Sequence, residues 1–203
     1  MDRFLDNNKV MSVFQSGDYV YDSNFDNRKS IKLLKKLKPK NFIELCNIYG
    51  LNRFGLESSL NLYIKNKNNP KDIKYNYPFF EDNLKETYGV LIYTEQLVKI
   101  IEDFSGLTNG QSEATISYII SRKTNLISKQ YSFFKESCLT NKELVTRCNF
   151  TNDDINVVIE DLWNFIYQNA MLLIRYSFVL NKVAKSYELV SIRADYISVA
   201  DYD

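Results

Sequence analysis

The side chains of this chain best suited to chemistry are its cations. Arg28, Lys29, Lys32, Lys35, Lys36, Lys38 and Lys40 crowd into residues 28–40. Lysine and arginine neutralise phosphates and release counterions without requiring a fixed geometry. The same run also suits an ordinary solvated helix face. Arg53 stands apart from it. A guanidinium grips a phosphate bidentately where an ammonium cannot, and it serves equally well as a clamp on helix-end carbonyls. Arg122, Lys123 and Lys129 form a third basic group. The acids offer less. Glu102-Asp103 and Asp153-Asp154 are adjacent pairs, and neighbours on a helix do not face the same way. Two-metal phosphoryl transfer needs carboxylates that converge on ions about 4 Å apart, and no such motif occurs here. The 3 cysteines, Cys46, Cys138 and Cys148, form no CxxC pair, and the chain has no histidine. No catalytic residue, zinc site or cofactor is expected.

The overall net charge of +1 hides an asymmetry: residues 28–74 carry +9, against −3 before them and −5 after. A local excess of that size fits a polyanion footprint, a solvated face, or docking on the chain's own acidic portion. The 15 Tyr and 13 Phe are core filler or a surface for stacking on bases. An AT-rich genome, as in many mobile elements, would also produce this Tyr, Lys and Asn usage. No apolar run approaches the roughly 18–20 residues that span a bilayer. The N-terminus lacks the apolar region of a signal peptide, and sparse unpaired cysteines fit a reducing compartment. The expected setting is the cytoplasm, with no membrane partner.

The elements that must position these groups read as helices. With only 6 Gly and 3 Pro, the chain has few tight turns. A short helix is expected within residues 1–13 and a loop over 16–27. Ile31, Leu34 and Leu37 give the basic segment an apolar stripe and predict a helix over 28–38. Pro39 ends it, and Asn41 is placed to cap the next helix, carrying Phe42, Leu45 and Tyr49. Residues 65–78 form the most polar linker and are the best candidate for a lobe boundary or a mobile hairpin. Helical patterns follow at 79–86, at 91–104 (Leu91, Leu97, Ile100, Ile101 and Phe104 inward), at 112–122 and at 126–138. Tyr88-Gly89 reads as a turn, Gly106 as a stop, and Ser112 or Glu113 as the next start. Thr151 followed by Asp154 reads as a capping box opening a helix to about 168. Residues 171–197 form a last helical pair or one long helix. The fold class is mainly α and multi-helical. The expected organisation is a basic N-terminal lobe over 1–70 and a helical lobe over 71–203, or one continuous domain.

Glu86 to Leu97 reads Glu-Thr-Tyr-Gly-Val-Leu-Ile-Tyr-Thr-Glu-Gln-Leu. It resembles the "ETYGVxVYQEQ" segment in the fingers of bacterial DNA polymerase III alpha subunits. The neighbours keep the family's order. Ser12-Val13-Phe14-Gln15 is similar to its "GVFQ", Leu34 to Pro39 to its "LKRLKP", and Leu51-Asn52-Arg53-Phe54-Gly55 to its "LYRPGP". Phe104 to Thr108, then Ile120-Ser121-Arg122-Lys123, follow "LAGYSLGEADLLRRAMGKK"; Tyr187 to Ser191 sit where the family has "HAAAYALVSY". The resemblance spans about residues 10–200.

The resemblance implies a fingers-type helical fold tied to DNA replication. The family's catalytic carboxylates lie in a palm, in a "PDxDxDF" motif and a "DFLGL"-like strand, and neither is found here. Positions that handle nucleotide in the family have changed. Its paired arginines align with Ile116 and Ser117, and its "GFNKSH" with Phe178 to Val183. Glu95, within a helix and without metal partners, reads as a strut. Two readings follow. One is a non-catalytic DNA-binding module serving DNA replication or a mobile element, contacting DNA weakly and in a salt-dependent manner through the cations above. The other is a protein-interaction module, or the fingers of a split polymerase. In it Val179, Leu180 and Val183, apolar where the family is polar, form a docking patch for a partner or a second copy; the alternative is that the former cleft has collapsed and they have become core.

Overall fold

A computed structural model describes the backbone of residues 7–18, 20–53, 55–148 and 152–200, and their side chains except those of 145, 152, 153 and 196–200. All regular structure among the described residues is helical. The chain divides into two compact units, one built from residues 1–65 and 174–203, the other from 66–173. This departs from the expected lobes. The boundary lies near 65 rather than 70, and the C-terminal segment belongs with the N-terminal unit, not with the second one. The reason is packing: the apolar residues of the last helix find their cover on helices of the first.

The first unit contains α1 (Asn8–Ser16), α2 (Arg28–Leu37), α3 (Phe42–Leu51), most of α4 (Glu57–Asn68) and α11 (Tyr176–Ala200). α11 packs on α1 and α3, and α1 and α3 each pack on α2. Phe14, Phe25, Leu34, Leu45, Ile48 and Tyr63 are essentially sealed from solvent. From α11, Tyr187 lies 6.3 Å from Phe14 in a stacked pair and 5.6 Å from Phe42 edge-on. Asn24 anchors the loop between α1 and α2 to the same helix, donating to the Lys182 carbonyl at 2.8 Å and to the Ser186 hydroxyl at 3.0 Å. Gly17 ends α1 at φ +69, a conformation that favours glycine, and a Cβ there would also crowd Ile31 Cγ2 of α2 at 3.0 Å.

The expectation of a docking patch on α11 is corrected here. Val179 and Val183 are 0% exposed, and Leu180 is half-buried. They belong to the core of this unit because a helix contacted by both α1 and α3 must bury a broad apolar face.

The second unit contains α5 (Pro78–Leu84), α6 (Thr94–Ser105), α7 (Asn109–Ser121), α8 (Thr124–Thr140), α9 (Lys142–Cys148) and α10 (Asn152–Asn169). Short 3-10 turns lie at Pro70–Asp72 and Lys85–Thr87. α6 is central, contacting α5, α7, α8 and α9. Leu97, Ile100, Ile101 and Phe104 are fully buried on it. Phe79 and Tyr77 pack on the Phe104 ring at 4.9 and 5.3 Å. Trp163 of α10 meets Phe134 of α8 at 5.5 Å.

Helix boundaries differ from expectation at two instructive points. α6 begins at Thr94 rather than 91, because the Gln96 side chain takes the Ile92 and Tyr93 N–H groups at 2.9 and 3.0 Å. α7 begins at Asn109 rather than 112. Thr108 and Gln111 form a reciprocal capping box that overrides the turn tendency of Asn109-Gly110. Thr151 lies outside the described residues, as does Phe54.

Candidate nucleic-acid interface

α2 forms where the sequence provides a start, a stripe and a stop. The Asn27 side chain accepts from the Ser30 N–H at 2.9 Å and donates to the Ser30 hydroxyl at 2.7 Å. Asn52 donates to that same hydroxyl at 2.6 Å, tying the helix start to the end of α3. Leu33, Leu34 and Leu37 are buried and Ile31 is half-buried. Lys38 closes the helix in a left-handed conformation, φ +44, its N–H bonded to the Leu34 carbonyl at 2.8 Å.

At about 100° per residue, Arg28, Lys29, Lys32, Lys35 and Lys36 fall within one arc of about 120°. Ile31, Leu33, Leu34 and Leu37 occupy the opposite side. All five cations are exposed, as are Lys38 and Lys40 just beyond. Among the described residues, Lys35 alone of these seven is in an ion pair, with Asp18 at 3.4 Å. Arg28, Lys29 and Lys32 line a shallow surface hollow. Lys35 and Lys36 stand in the last turn, where the helix dipole favours positive charge. The arc continues into the next element: the Lys40 N–H donates to Glu44 Oε2 at 2.7 Å, and Asn41 caps α3 through the Glu44 N–H at 2.9 Å. The result is a row of cations on a firmly anchored helix, with few acids to neutralise it.

Arg53 has a different setting. It is half-buried, its Nε donates to the Gly50 carbonyl at 2.8 Å in the last turn of α3, and burial lowers its pKa from the ordinary arginine value. The clamp alternative describes this geometry. Arg122, Lys123 and Lys129 are exposed, but they belong to the second unit. Arg122 ends α7 at φ +56, and Lys123 is the residue from which α8 starts. Three groups expected as one binding set are therefore a continuous row on α2, a clamp at the end of α3, and a separate junction in the other unit.

The acidic pair Glu102-Asp103 faces Lys99, whose ammonium lies 3.0 Å from one carboxylate and 3.6 Å from the other. Among the described residues no group of three or more carboxylates or cysteines is gathered as for a metal ion. Burial pushes the Cys46 and Cys138 thiols up to about 12. No helix of the described residues is long and apolar enough to cross a membrane.

The comparison with known families decides the ancestry. The model of the bacterial DNA polymerase III alpha subunit finger domain matches residues 3–142. The chain belongs to that family. The finger-domain match runs from before α1 to the end of α8. The DNA polymerase III subunit alpha of Aquifex aeolicus (strain VF5) is 36% identical over 132 residues, covering 64% of this chain and 11% of that protein. The Staphylococcus aureus (strain MRSA252) protein of that name is 28% identical over 160 residues, 78% of this chain and 14% of its own length. This chain thus spans 11–14% of the length of these polymerase subunits.

Within the finger domain, the structure explains why the Glu86–Leu97 signature holds together. Gln96 spends all its hydrogen-bonding capacity there. Besides the two N–H groups it accepts from, its Nε2 donates to Thr87 Oγ1 at 2.9 Å and to the Asn83 carbonyl at 3.2 Å. The motif is a structural knot between α5 and α6. Sequence reasoning missed that role for Gln96, and it missed a hollow beside Tyr88. Part of that hollow's lining lies in the segment 65–78 read as a polar linker, the rest in the helix and turn read after it.

Proposed function

We propose that this finger domain binds the phosphate backbone of DNA during replication and contributes no nucleotidyl-transfer chemistry of its own. The observation that carries this reading is the arc of five exposed cations on α2, extended by Lys38 and Lys40. A solvated face would serve with interspersed acids; here the basic residues are grouped on one side of an anchored helix. DNA carries a negative charge about every 1.7 Å of its axis, so a helix of this length meets several phosphates at once. The burial of Val179 and Val183 removes the main support for a docking module.

The test is a salt titration of duplex binding. Engagement of four or five phosphates gives a log–log slope of about −3.5 to −4.5, at roughly −0.9 per phosphate. Replacing Lys32, Lys35, Lys36 and Lys38 with Glu should abolish binding while leaving the far-UV spectrum unchanged, because these side chains are exposed. Unchanged affinity in that variant would remove α2 from the argument. A primer-extension assay with Mg²⁺ or Mn²⁺ should show no incorporation by the purified chain; incorporation lost on mutating one of its acidic residues would refute the non-catalytic part.

A further inference from the structure

The second unit contains a hollow of about 660 Å³ bordered by Lys71, Tyr75, Tyr77, Glu81, Lys85 and Tyr88 among others. Its size is that of a small-ligand site. The walls are held in place. Tyr77 is wedged edge-on against Phe80 at 5.7 Å and Phe104 at 5.3 Å. Tyr88 sits at φ +52, a conformation unusual for a bulky residue, and the Asn66 side chain donates to its carbonyl at 2.7 Å. Gly89 beside it sits at φ +77, where a side chain is strained, and a Cβ there would crowd Ile73 Cγ2 at 3.0 Å and touch the Tyr75 ring at 3.6 Å. Tyr75, Tyr77 and Tyr88 thus all border this space. Around it, Lys71 and Lys85 are exposed and, among the described residues, in no ion pair. Glu81 is exposed as well, and its charge adds to burial in raising the Tyr75 phenol above its ordinary value.

Each part of this lining has a matching part in one ligand class. Aromatic rings pack on the face of any base. Ammonium groups neutralise a phosphate. A carboxylate only accepts hydrogen bonds, so it favours a base with an exocyclic amino group, as in cytosine, over thymine. We propose that this hollow takes one unpaired nucleotide, its base among Tyr75, Tyr77 and Tyr88 and its phosphate between Lys71 and Lys85. The nucleotide is either free or part of a single strand. Its lining residues belong to the second unit, the α2 row to the first. Neither Ile116 nor any of residues 178–183, which the family resemblance aligns with nucleotide handling, is among them.

Amide spectra of the uniformly ¹⁵N-labelled full chain test the proposal, with dCMP, dTMP, a dC tetramer, an abasic tetramer of equal charge, and inorganic phosphate as probes. The expected result is movement of amides within residues 71–89, larger with cytosine than with thymine. Movement with dCMP alone identifies the free nucleotide as sufficient; movement only with the dC tetramer identifies the strand. Tyr75→Ala should weaken binding roughly 5- to 150-fold, the equivalent of ~1–3 kcal/mol per stacked base. Lys85→Glu, at an exposed position, should weaken it several-fold, and Glu81→Gln should narrow the preference for cytosine. These shifts should persist in the α2 glutamate variant, which separates this site from backbone binding. Equal movement with the abasic tetramer or phosphate would reduce the hollow to a polyanion contact and overturn the proposal, as would unmoved amides at 71–89 with every probe.

Discussion

Replacing Gln96 with Ala should destabilise the second unit by ~2–4 kcal/mol. The side chain makes four hydrogen bonds, to the N–H groups of Ile92 and Tyr93, to Thr87 Oγ1 and to the Asn83 carbonyl, at 2.9, 3.0, 2.9 and 3.2 Å. Each such bond is worth ~0.5–1.5 kcal/mol net, and a buried group left without a partner costs ~1–3 kcal/mol. Ile92, Tyr93 and Thr87 are all buried, so their polar groups find little water in exchange. Gln96 itself is half-exposed, which allows some solvent to enter and keeps the total below the sum of the separate penalties. Alanine's better helix propensity offsets only a few tenths. The chain has 1 Trp, Trp163, which is 8% exposed and packed on Tyr131 and Phe134 in this unit. Its fluorescence in urea therefore reports this unit specifically. With a slope of about 1.5 kcal/mol/M, the midpoint should fall by ~1.3–2.7 M. Lys99→Ala, which removes an exposed ammonium from the partly covered carboxylates of Glu102 and Asp103, is the control and should cost ~1 kcal/mol or less. A Gln96→Ala midpoint no lower than that of the control would refute the reading of this motif as a knot.

Further outcomes are expected elsewhere. Asn41→Ala removes the cap on α3 and should cost ~1 kcal/mol in thermal or urea unfolding. Val183→Asp places an unpaired charge in a fully buried position; loss of far-UV helicity or of soluble expression is expected, and a stable folded variant would contradict the assigned burial. In thiol titration of the folded chain, half-buried Cys148 should react with a bulky disulfide reagent well before Cys46 and Cys138, which are buried. Those two thiols are raised from 9.0 to about 12 by burial. The unfolded chain therefore releases their protons first, so their contribution to stability is complete below pH ~9 and lost as pH rises toward ~12. Urea midpoints at increasing alkaline pH should fall across that window, and replacing both cysteines with Ala should remove that part of the fall.

Helices whose signals are local were legible in the sequence. α2 needs only its lysine–leucine periodicity, α3 only Asn41 after Pro39, and the end of α6 only Gly106, which sits at φ +71 as such a stop requires. What escaped depended on contacts between segments. The start of α6 is set by a side chain at position 96 reaching back to 92 and 93, and periodicity carries no trace of that. The partnership of α11 with α1 and α3 was equally hidden. An apolar stripe reveals that a helix must be covered, but not by what, and so the sequence left Val179 and Val183 open between a docking patch and core, of which they are core. The hollow beside Tyr88 was obscured by composition. Asn, Lys, Pro and Asp around Lys71 mark a linker, while Tyr75 and Tyr77 form a wall only once Phe104 and the Tyr88-Gly89 turn are in place.

The residues retained from the family pattern sort by structural task. Glu86 to Gln96 keeps the family's order; its Thr87 and Gln96 are held by hydrogen bonds, and its Gly89 takes a positive φ of +77 that strains any side chain. Arg53 also survives from the basic "LYRPGP" signature, and its guanidinium is turned to the Gly50 carbonyl at the end of a helix. By contrast, the paired arginines aligned with Ile116 and Ser117 are gone, and Ile116 is buried. Val179 and Val183, in the segment matching "GFNKSH", are now core. A cation that only grips a ligand can be lost without cost to the fold, whereas one that caps a helix cannot. The exposed lysines of α2 cap nothing apart from the backbone of Lys38, and the core beneath them needs only the leucines. Seven exposed cations are concentrated there, of which Lys35 alone is in an ion pair among the described residues, and it is this arrangement that supports the proposal of a polyanion outside the chain.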